Sequence, residues 1–276
     1  VRSISRKVWL GIGIATLVGG SATPGLAQHS GHGTKAKAPP SADGATMAAP
    51  QSGETYLTDG GPKDTRIRIY RDIALMRGHL LVGAELVALG RWDEALPHFL
   101  HPTEELYGLM ERHIKLHKVT PFDRQLKQLA QAVKAQNLAA YRQAARVVDE
   151  RLTNALTSFR RFMQGAPFTS FTMQTVVEVM KVVAHEYEAA IEDGRFAKPV
   201  EYQDSRGFLL YAERLVETHR SDLEKIDKPA LEALVAIIAG IKPSLPTALP
   251  PERPLMSVKE LSEKIEAFEK RAGRFF

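Results

Sequence analysis

From Asp64 onward the chain repeats apolar residues at intervals of three and four, and that spacing admits few folds. Ile69, Ile73, Met76, Leu80, Gly83 and Val87 fall on one side of a helix of 3.6 residues per turn. The pattern returns in Leu138, Tyr141, Ala145, Val148, Leu152, Leu156 and Phe159, and again in Val176, Val179, Met180, Val183, Tyr187 and Ala190. No stretch alternates apolar and polar residues between hairpin turns, so strands are not expected. The sequence therefore predicts an all-α protein of seven to eight helices. Short turns between long helices favour antiparallel neighbours, and hence one or more antiparallel bundles.

Glycines and prolines set the boundaries. Gly90 ends the first helix and Asp93 is placed to cap the next. Pro102 removes a backbone donor, so it is expected to divide residues 92–100 from a second limb over 103–116. Thr120 and Pro121 predict a cap and first helical position, and Asn137 a cap for the long run that ends near Gly165. Further helices are expected over 171–193, stopped by Gly194, then over 202–219, and over 230–241 behind Pro229. These elements form a helical bundle domain over 62–242. The prolines of 243–256 predict an extended linker, and Ser257 with Glu260 forms a capping box for a last helix over 257–276 that packs on the bundle.

The amino-terminal residues carry a different message. Arg2, Arg6 and Lys7 precede an apolar run over 8–20 and small residues ending at Ala27, the pattern of a signal peptide over 1–27 with cleavage near Ala27. Residues 28–61 are rich in Ala, Pro, Gly, Ser and Lys and predict a disordered tether, because they bury too little to offset ordering entropy. No later stretch reaches about 18 uncharged apolar residues, so no membrane span is expected after cleavage. The expected location is periplasmic. Without the leader, 34 basic residues face 32 acidic ones, a net charge of +2, and no basic block is interleaved with aromatics; a nucleic-acid partner is not expected. The absence of cysteine excludes disulfides, thiolate metal sites and Cys nucleophiles.

Any metal must then use imidazole and carboxylate, and residues 92–117 hold four of the nine histidines: His98, His101, His113 and His117. His98 and His101 are three apart, as are His101 and Glu104, so each pair shares a helical face. His185 and Glu188 repeat the His-x-x-Glu spacing on another helix. Two such pairs on packed helices predict a mixed nitrogen and oxygen metal site of His101, Glu104, His185 and Glu188, with His98 and Asp204 as secondary candidates. Such donors suit Fe, Cu or Zn without choosing between them. The competing reading is a pair of surface contacts worth a few tenths of a kcal/mol. Arg112, Lys115 and Lys118 surround His113 and His117 and oppose a cation there. His79 and Glu85 border the apolar face of the first helix and are expected in a paired polar network; Arg206 is placed to meet an acid from another helix. No His-Glu-x-x-His and no nucleophile motif is present, so catalysis is not expected.

Two resemblances attach to these residues. The stretch Phe99-Leu-His101-Pro-Thr-Glu104-Glu-Leu-Tyr-Gly108 resembles the His-x-x-Glu signature of imelysin-like proteins, exported all-helical bacterial proteins associated with iron uptake; that family has Gly where this chain has Phe99. The resemblance implies a double helical bundle with His101 and Glu104 in the signature positions. Gly83, Gly90, Ala95 and Phe99 resemble the packing positions of one tetratricopeptide repeat, with Pro102 in place of Ala and no second copy. The leading expectation is a periplasmic, non-catalytic helical-bundle protein that binds a transition metal or metal complex, in iron or copper handling. The alternative is an envelope scaffold that binds a protein or peptide.

Overall fold

In the computed structural model, which describes residues 61–160 and 168–276, the first apolar repeat is α1, Thr65–Ala88. Asp64 caps it by accepting the Arg66 N–H at 2.8 Å. Ile69, Ile73, Met76 and Val87 are buried as their spacing requires, but so are Leu75, Val82 and Leu86. The extra burial follows from the packing, since α2, α6 and α7 all lie against this helix. The signal peptide and nearly all of the tether fall outside the described residues.

Gly90, at φ 73°, closes α1, and α2 runs over Trp92–His101. Arg91 occupies the cap position, leaving Asp93 in the first turn, where its charge still suits the helix dipole. Gly83 and Phe99 close this helical hairpin: a Cβ on Gly83 would lie 2.7 Å from the Phe99 ring. The break expected at Pro102 is instead a change of helix type. Residues Pro102–Tyr107 form a π-helical turn that leads directly into α3, Gly108–Leu116. Proline cannot donate to the carbonyl four residues back, and the ladder relaxes to the wider i→i+5 closure.

Thr120 does not cap α4, Asp123–Lys134; Phe122 holds that position and buries its ring together with Val119. Asn137 does cap α5, Leu138–Arg160, accepting the Ala140 N–H at 3.0 Å. Helix α6, Phe168–Ala189, stops short of 193 because Ile191–Glu192 (β1) and Arg195–Phe196 (β2) pair as a small antiparallel hairpin. Asp193 and Gly194 turn it at φ 50° and 72°, the positive values that a two-residue Asp-Gly turn needs. Helix α7 follows over Pro199–Thr218, and α8 spans Arg220–Ile241. Within α8, Asp227 leaves helical geometry and caps the second half through the Ala230 N–H at 2.9 Å. Ser257 caps α9, Val258–Ala272, by accepting the Glu260 N–H at 3.1 Å.

Helices α6, α7, α8 and α9 pack as a bundle, α1 lies on α6 and α7, and α2 and α5 flank α4. The proline-rich residues 243–256 lie on the bundle as a strap. They bury Leu245, Ala248 and Met256, and their carbonyls are engaged from below: Tyr202 donates to Thr247 O at 2.8 Å and Tyr187 to Met256 O at 2.7 Å. Arg206 donates to Leu245 O and pairs with Glu85 of α1, Nε to Oε2, at 2.8 Å. The all-α class expected from periodicity is the class observed, and among the described residues no helix is long and apolar enough to cross a membrane.

Candidate metal centre

Two glycines decide where α1 and α7 meet. A Cβ on Gly207 would overlap the Gly78 carbonyl oxygen and lie 2.9 Å from its carbon; one on Gly78 would lie 3.0 Å from the Gly207 carbonyl carbon. Only residues without side chains allow this approach. The crossing sets His79, the neighbour of Gly78, against Asp204, one turn before Gly207. His79 Nδ1 lies 2.6 Å from Asp204 Oδ1, and the Phe208 ring packs edge-on against the His79 ring at 4.8 Å between centroids.

Helix α2 supplies the other imidazoles. His98 is fully buried, with Nδ1 2.8 Å from the same Asp204 Oδ1 and Nε2 2.8 Å from Gln203 Oε1. The Gln203 amide nitrogen donates to Ala248 O of the strap at 3.1 Å, which fixes Oε1 toward His98. His98 therefore donates through Nε2–H, and its Nδ1 is the nitrogen that a cation would use. His101 Nδ1 is 3.4 Å from Asp204 Oδ2, yet it is buried without a hydrogen-bond partner. One turn on, Glu105 Oε1 is 3.7 Å from His101 Nε2. Two sets of ligand atoms result: His79, His98 and Asp204, and His79, His101 and Glu105, each set with all atoms within 4.8 Å of one another.

The charges are strongly coupled. Burial by itself pushes the Asp204 carboxyl up, but the imidazoles of His79, His98 and His101 outweigh it and hold Asp204 well below the usual carboxylate range. Burial lowers His79, opposed by Asp204. Burial also lowers His101, but the carboxylates of Asp204, Glu105 and Glu186 push it up to about 9. Glu186 of α6 is held well above its ordinary value, first by burial and then by Asp204, Glu201 and Glu105. A buried acceptor thus sits among imidazoles, and buried carboxylates crowd the same place. Imidazole with carboxylate is a donor set for a divalent transition metal, and the charges favour a cation at their centre.

His101, His98 and Asp204 come together here. Glu104, His185 and Glu188 do not join them: all three are exposed and belong to neither ligand set. The expected pairing fails at both helices for geometric reasons. Both i+3 and i+4 neighbour a helical residue, and here it is the i+4 carboxylate, Glu105, that lies beside the His101 ring while Glu104 is exposed. On α6 the inward residue is Glu186, which continues the stripe of Val179, Val182 and Val183 at helical spacing, while His185 and Glu188 lie off it. His113 and His117 stack on α3 with ring centroids 6.2 Å apart and belong to neither set. His79, Glu105, Glu186 and Gln203 complete the site without having been singled out as ligands from sequence.

No curated protein and no solved structure matches the chain. The Phe99 to Gly108 stretch that resembles imelysin-like proteins lies outside residues 168–276, the region of the family match. Residues 168–276, which carry α6 to α9 together with Asp204, Gln203 and Glu186, match the family model of the iron permease-associated 4-helix bundle domain, a helical bundle tied to iron handling.

Proposed function

We propose that this chain is a non-catalytic iron-handling protein that binds a ferrous ion through His79, His98 and Asp204, with His101 and Glu105 at the outer side. The observation that carries the reading is the convergence of three imidazoles from two helices on one buried carboxylate, with a buried His101 nitrogen left without a hydrogen bond. The donor chemistry alone admits several transition metals. Iron is favoured by the iron permease-associated bundle that supplies Asp204. The basic and apolar leader pattern supports export, so the iron is taken up in the periplasm and held there for transport.

A structural role for the same network is the competing account, since buried polar groups also satisfy one another without a metal. Anaerobic equilibrium dialysis against Fe(II) separates the two. About one iron per chain is expected, with retention at least about a hundredfold weaker in His98→Gln and Asp204→Asn, because each removes a direct ligand. Circular dichroism confirms that the variants remain helical. Wild-type protein that retains no iron, or folded variants that retain it unchanged, would contradict the proposal.

A further inference from the structure

The two ligand sets differ in depth. The side chains of His79, His98 and Asp204 are 4%, 0% and 6% exposed, whereas those of His101 and Glu105 are 21% and 25% exposed. His79 belongs to both. One ring thus stands between a deep position and a shallow one.

Glu186 adds the second observation. It is 8% exposed, and among the described residues its carboxylate makes no hydrogen bond and no ion pair. Its charged surroundings are Asp204, Glu201, Glu105 and His101. A buried carboxylate that faces other carboxylates is costly unless a cation stands between them. Asp204 already has two ring nitrogens at hydrogen-bond distance, from His79 and His98; Glu186 has no such partner.

Building on the iron-binding reading, we propose that the metal occupies two successive positions. The outer one is formed by His79, His101 and Glu105, and captures the ion at the partly exposed mouth, with the Glu186 carboxylate adding negative charge beside it. The inner one is formed by His79, His98 and Asp204, and retains it. Transfer is a ligand exchange about the shared His79: bonds to Glu105 and His101 give way to bonds to Asp204 and His98, with no change in oxidation state. Carboxylates at the mouth raise the local cation concentration and the capture rate. The His98 nitrogen aimed by Gln203 and the buried Asp204 slow escape.

Stopped-flow mixing of the full chain with Co(II), a coloured divalent probe, tests this. Two phases are expected, a fast one whose rate rises with Co(II) and a slow one whose rate does not. Glu105→Gln combined with Glu186→Gln slows the fast phase about tenfold or more. His98→Gln keeps a fast, weakly held signal and loses the slow phase. Circular dichroism confirms folding of both variants. A single phase in wild type, or a fast phase untouched by the double substitution, would overturn the two-position path and leave iron binding standing. Wild-type protein that binds neither Co(II) nor Fe(II) would overturn both.

Discussion

Replacing Gly207 by Ala tests whether the α1–α7 crossing builds the centre, because two effects of the change have opposite signs. In an open helix interior Ala is better than Gly by up to about 1 kcal/mol. At Gly207, however, the new methyl would overlap the Gly78 carbonyl oxygen and lie 2.9 Å from its carbon and 3.2 Å from Val82 Cβ. Ordinary carbon contacts are about 3.5–4.0 Å, so the helices must part by roughly 0.5–1 Å. Overpacking of this kind costs about 1–3 kcal/mol, which exceeds the propensity gain. A net loss of about 1–2 kcal/mol corresponds to a fall in Tm of about 2–8 °C for a domain of this size. The same movement draws His79 from Asp204, stretching a 2.6 Å contact and weakening Fe(II) binding about tenfold or more. Calorimetry of the metal-free protein and Fe(II) dialysis measure the two effects. Gly240→Ala is the control: its methyl meets only Lys264 Nζ at 4.0 Å, so stability should hold or rise. A Gly207→Ala protein as stable as wild type with undiminished affinity would refute the reasoning.

Three further outcomes follow from the charges and the strap. His101 is raised from 6.5 to about 9, so its contribution, at most about 3 kcal/mol, is present below pH 6.5 and lost as pH rises through 9. Urea unfolding of the metal-free protein between pH 6 and 10 should show that decline, and His101→Gln should flatten it. Glu186 is held above its ordinary range, so its ionisation opposes folding at neutral pH; Glu186→Gln should raise the Tm of the metal-free protein, and a lower Tm would mean the carboxylate has a stabilising partner. Tyr187→Phe leaves Met256 O without its donor and should cost about 1–2 kcal/mol by chemical denaturation, with no loss if the strap is not anchored there.

The helices were legible because their buried faces recur at three and four, as in Val148, Leu152, Ala155 and Phe159 of α5. The small hairpin was missed although Asp193-Gly194 is a turn signal, since two-residue strands leave no alternation to read. Within the site, His98 and His101 were recognisable from spacing, and Asp204 from the unusually polar helix start over 201–206 that stands between apolar stripes. Glu105 was not, because spacing alone does not choose between the i+3 and i+4 carboxylates that follow His101. Glu186 was recoverable, for it follows Val182 and Val183 at four and three; the His-x-x-Glu spacing drew attention to its exposed neighbours instead. His79 depends on Gly78 meeting Gly207, two positions 129 apart in sequence, and no local pattern encodes that.

The central claim concerns where a metal sits, and the most direct test is to locate one. Crystals soaked anaerobically in Fe(II) and measured at the iron edge should give an anomalous peak about 2.0–2.2 Å from His98 Nδ1 and from Asp204. A peak only at His185 and Glu188, or none at a concentration that loads the protein in solution, would contradict the account.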